Sequence, residues 1–76
     1  MENIKVNGKY GAKIGNIQVF TREGAIRAYK MFAGLFEKYM TMEASAVLYD
    51  AAQDMMKIGF TADELEAFEI EVMTAA

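Results

Sequence analysis

The chain has no histidine, no cysteine, no tryptophan and no proline. Histidine is the usual general base near neutral pH and the commonest metal ligand. Cysteine is the strongest common nucleophile and the soft metal ligand. Without either, acid–base or nucleophilic chemistry would fall to carboxylates, lysines, tyrosines and hydroxyls alone, and no set of these stands out. A non-enzymatic role is the expectation, with no cofactor and no metal. Disulfides and Cys/His zinc sites are also excluded as staples, so the core alone must hold the fold. Uncharged runs fall far short of the roughly 20 residues that a membrane span needs. The segment Met1-Glu2-Asn3-Ile4-Lys5 lacks the basic-then-apolar pattern of a signal peptide. A cytoplasmic location is expected on these grounds.

What is present is apolar surface. The 76 residues are 54% hydrophobic, with five Phe, four Tyr and seven Met. A domain this small buries only about 60% of its unfolded surface. Some of the apolar surplus is therefore expected to face a partner, and self-association as a homodimer is the first candidate. Flexible thioethers fill irregular cores and also line adaptable grooves; core filling is the commoner use and the expected one. Tyr49 and Met56 sit off the main apolar stripe of their segment and are the candidates for an exposed apolar patch.

Charge is unevenly spread over a net −3. Residues 1–30 carry six cations against two acids, or +4, and residues 31–76 carry two cations against nine acids, or −7. Lys5, Lys9, Lys13, Arg27 and Lys30, with Arg22 and the rings of Tyr10, Phe20 and Tyr29, form a candidate basic face of the kind that holds single-stranded nucleic acid. The competing reading is that these lysines blunt exposed strand edges. The negative total favours it, so nucleic acid is the least expected partner. At the other end Glu64, Glu66, Glu69 and Glu71 follow Asp63 within nine residues, with no lysine among them. Such a run could imitate phosphates and block a basic site on a larger protein, an inhibitor role that suits a phage or mobile-element product. The plain alternative is a solvated helix face. Asp50 and Asp54, with Glu43 seven residues before Asp50, read the same way, because no calcium-loop spacing accompanies them. Gly8-Lys9-Tyr10-Gly11 has the form of a nucleic-acid loop but lies between predicted strands, where the glycines serve turns and bulges.

The fold class is predicted as α+β in a single domain spanning 1–76: an N-terminal β-hairpin or three-stranded antiparallel meander over 3–20, then three α-helices over 21–40, 42–58 and 61–75. Asn7-Gly8 is a strong hairpin turn signal. A second turn at Gly15-Asn16 pairs Ile14 with Ile17 and Ala12 with Val19. Tyr10, Ala12, Ile14, Ile17 and Val19 then share one face. The register of the first strand stays open between a two-residue loop, a longer loop and a bulge, as does the use of the hairpin edge for strand addition. Thr21 is the N-cap of the first helix, whose apolar stripe is Ala25, Tyr29, Phe32, Phe36 and Tyr39. Ile26, Met31, Leu35 and Met40 widen that stripe and predict cover on more than one side. The second helix places Ala44, Val47, Leu48, Ala51, Ala52 and Met55 inward. Gly59 closes it, and Phe60-Thr61-Ala62-Asp63-Glu64-Leu65 combines a hydrophobic staple with a capping box, which predicts a tight corner into the third helix.

Overall fold

The computed structural model describes residues 5–6 and 9–75, with side chains from residue 11 onward. Strands β1 (Lys5–Val6) and β2 (Lys9–Tyr10) pair antiparallel, as do β3 (Ala12–Ile14) and β4 (Ile17–Val19). Helices α1 (Arg22–Tyr39), α2 (Met42–Lys57) and α3 (Ala62–Ala75) follow. The α+β class is as the sequence predicts. Gly11, at φ 107°, interrupts the chain between β2 and β3, and two separate two-stranded ladders result. The hairpin alternative therefore holds and the three-stranded sheet does not. Lys5 pairs with Tyr10 and Val6 with Lys9, the two-residue loop spacing; the Asn7-Gly8 turn itself lies outside the described residues. The second hairpin has the predicted register, Ile14 with Ile17 and Ala12 with Val19.

That register turns Ile14 and Val19 into the core and Lys13 and Gln18 outward. The Gly15 turn is held from both sides. Its N–H donates to Asp54 Oδ2 on α2 at 2.9 Å. Its backbone is left-handed at φ 62°, and a Cβ there would lie 2.7 Å from Cζ of Phe32. Asp54 is thus an anchor for the turn rather than part of a merely solvated face.

α1 starts at Thr21, whose Oγ1 accepts from the Gly24 N–H at 3.0 Å. It ends at Met40, a non-glycine residue in the left-handed region at φ 53°. The next residue, Thr41, caps α2 by accepting from the Ala44 N–H at 3.1 Å. One residue thus ends a helix and the next begins another, so α2 folds back along α1. The second corner matches its sequence signature closely. Gly59, at φ 111°, donates to the Met56 carbonyl and Phe60 to the Met55 carbonyl, closing a Schellman motif. Thr61 and Glu64 then exchange capping-box bonds, 3.0 Å from the Thr61 N–H to Glu64 Oε1 and 3.2 Å from the Glu64 N–H to Thr61 Oγ1.

α1 is the common support. Its buried residues Ala25, Ala28, Tyr29, Phe32 and Ala33 meet the second hairpin, α2 and α3, while α2 and α3 barely touch each other. The core joins Ile14, Val19, Tyr29, Phe32, Ala51, Met55, Phe60 and Leu65. The α1 stripe departs from its prediction at one end. Tyr39 is exposed, as are Met31, Leu35 and Met40, because α2 and α3 leave that side of the helix open. Methionine also departs from expectation: among the described residues only Met55 is buried, and Met31, Met40, Met42, Met56 and Met73 are exposed.

Two backbone positions give opposite predictions in urea unfolding. Gly15→Ala adds left-handed strain and a clash with Phe32 and should cost about 2–4 kcal/mol. Met40→Gly relieves the left-handed strain at an exposed helix end and should gain up to about 1 kcal/mol.

Candidate functional site

Three glutamates of the acidic third helix find partners on α1. Glu64 Oε2 pairs with Arg22 Nη2 at 2.7 Å. Glu71 Oε2 pairs with Lys30 Nζ at 2.8 Å. Tyr29, buried in the core, donates its O–H to Glu69 Oε2 at 2.8 Å. The same two cations lie over the rings of α3 and its corner: Arg22 sits 4.4 Å from the Phe60 ring centre and Lys30 5.6 Å from that of Phe68. Residues 22 and 30 are eight apart, as are 60 and 68, and the partners rise in number together. α1 and α3 therefore run parallel, with Leu65 as the buried anchor between them. Of the four glutamates singled out by sequence, Glu64, Glu69 and Glu71 hold α3 to α1. Glu66 faces outward, beside Asp63.

The electrostatics follow. Hydrogen bonds from the Thr61 backbone and from Arg22 hold the Glu64 carboxyl below its ordinary value near 4.5. Burial, and then the Glu69 carboxylate that accepts a hydrogen bond from its O–H, push the Tyr29 phenol well above its usual 10.

The candidate basic face is divided by the fold. Lys13 points outward from the hairpin, Arg27 lies on the open side of α1, and Lys30 is engaged by Glu71. The side chains of Lys5 and Lys9 lie outside the described ones. Arg27 borders an apolar depression of about 530 Å³ between β4 and α1, with Phe20 and Met31 on its walls.

The exposed apolar surface is ordered. On α2, Met42, Ser45, Tyr49, Ala52 and Met56 recur at intervals of three, four, three and four residues, the spacing of a coiled-coil seam. The seam spans about 21 Å at 1.5 Å per residue. Met42 is 90% exposed, Tyr49 65% and Met56 39%. Sequence reasoning found Tyr49 and Met56 but missed Met42 and Ser45, for which the 3-4 spacing was the signal; Ala52, predicted inward, is half-buried and packs against the core at the edge of this seam. A second seam, Ala44, Leu48, Ala51 and Met55, faces inward. Val47, predicted inward, is half-exposed and lies in a groove between α1 and α2. Its position, 100° around the helix from its neighbours, puts it at the edge of the inward seam.

Among the described residues no group of three or more Asp or Glu is placed to hold a metal ion. No described helix is long and apolar enough to cross a membrane. Comparison with protein families, with curated proteins and with solved structures finds no match.

The stitching of α3 makes a pH prediction. A carboxyl whose pKa is lowered by folding adds stability above its unfolded pKa and loses it as pH falls through the folded value. Wild-type melting temperature should therefore fall as pH drops below 4.5, the ordinary value of this carboxyl, and Glu64→Gln should start lower and fall less steeply. Equal slopes for the two proteins would contradict the assignment. Tyr29→Phe should cost about 1 kcal/mol at neutral pH by removing the bond to Glu69.

Proposed function

We propose that the protein is a non-enzymatic protein-interaction module that self-associates through the outward seam of α2. The observation that carries this reading is the exposed row Met42, Ser45, Tyr49 and Met56, with half-buried Ala52 at its inner edge. A seam of this spacing is covered in folded proteins by a second helix, and the small residues Ser45 and Ala52 let that helix come close. The non-enzymatic part rests on composition: histidine and cysteine are both absent.

A two-fold dimer uses the same patch on both copies. Helix dipoles favour the antiparallel arrangement. A two-fold axis at Tyr49 then lays Met42 against Met56 of the other copy. The acidic-inhibitor reading is weaker here, because three of its four glutamates are committed to α1.

Light scattering after size exclusion tests the reading. The expected mass is twice the 8.5 kDa of the chain, unchanged by salt because the seam residues carry no charge. Tyr49→Asp should give a folded monomer. A wild-type monomer, or a dimer that survives Tyr49→Asp, would contradict it.

A further inference from the structure

Beyond self-association, α2 carries a third stripe. Glu43, Val47, Asp50 and Asp54 recur at intervals of four, three and four residues and border the groove between α1 and α2. Two adjoining cavities, about 400 and 640 Å³, make up this groove and share Phe32, Leu35 and Val47 as their apolar floor. The rim is one-sided in charge, with three carboxylates against Lys57. The ion pairs among the described residues do not involve them, and of the three only Asp54 has an internal role, at Gly15. The groove faces away from the outward seam, since the two stripes lie on opposite sides of α2. Dimerisation through the seam leaves it open.

We propose that this groove receives a basic amphipathic helix of a different protein. An apolar floor selects a helix with apolar residues at i, i+3 or i+4, and i+7. The acidic rim selects lysine or arginine on the flanks and rejects acidic helices by like-charge repulsion. From Glu43 to Asp54 the groove follows α2 for about 16 Å, which is three turns of a bound helix. This chain's own acidic helix α3, with Asp63 and Glu66 outward, has the wrong sign for that rim.

The probe is a capped 16-residue leucine/lysine amphipathic peptide, compared with its leucine/glutamate counterpart. Binding is followed by calorimetry and by amide shifts in the ¹H–¹⁵N spectrum. The lysine peptide should bind and shift Leu35, Val47 and Asp50, and the glutamate peptide should not bind. Val47→Asp should weaken binding about tenfold, and Glu43→Gln with Asp50→Asn should weaken it and flatten its salt dependence. These positions are solvent-facing, and an unchanged far-ultraviolet spectrum would verify folding. Repeating the titration on Tyr49→Asp separates this proposal from the dimer, since groove binding should persist there. Equal binding of both peptides, no binding, shifts confined to the outward seam or α3, or a groove filled by a second copy of the chain without peptide would each overturn it.

Discussion

Everything in this fold leans on α1. The chain has no cysteine and no histidine to staple it, so burial of apolar surface must offset the ordering of the chain. One 18-residue helix is the shared surface for that burial, meeting the second hairpin, α2 and α3 at once. Tyr29 and Phe32 are the pivots. Phe32 supports the Gly15 turn and the groove floor, and Tyr29 reaches through the core to Glu69. A single support cannot cover all sides of its partners. α2 gives one seam to α1 and keeps another bare, and the far end of α1 stays open at Leu35 and Tyr39. The apolar surplus in the composition and the exposed seam thus have the same geometric origin.

α3 is held differently. It buries one residue fully, Leu65, and relies on polar contacts along its length. Exposed ion pairs are each worth about 0–1 kcal/mol, so Arg22–Glu64 and Lys30–Glu71 set orientation more than stability. Their value is shared with Phe60 and Phe68, whose rings lie under the same two cations. A cation that meets a carboxylate and a ring fixes the parallel register of α3 on α1. Part of the basic front and part of the acidic back of the sequence, Arg22 and Lys30 with Glu64 and Glu71, thus meet in one contact between α1 and α3.

Local chemistry was readable in the sequence. Thr21, Gly59 and the Thr61–Glu64 box act within a few residues, and each sits where its spacing placed it. The Ile14–Ile17 pairing follows from a two-residue turn and alternation. Contacts set by distant residues were less legible. Asp54 holds Gly15 across 39 positions and Glu64 meets Arg22 across 42; helical periodicity shows only that such carboxylates leave the apolar face. The matched spacing of Arg22 with Lys30 and of Phe60 with Phe68 was the available clue. Met40 carried no glycine to mark its left-handed turn. Tyr49 and Met56 stood out singly, but their seam appears only once the inward face of α2 is assigned to Ala44, Leu48, Ala51 and Met55.

In the proposed dimer α2 meets a second α2, antiparallel, through its outward seam. Isotope-filtered NOEs test it directly, in a sample mixing ¹³C-methyl-methionine chains with unlabelled chains. The proposed dimer gives intermolecular NOEs joining the Met42 methyl to the Met56 side chain of the other copy, with Tyr49 close to its own symmetry mate. Intermolecular NOEs confined to Met31 or Met73, or none in a sample shown to be dimeric, would contradict it.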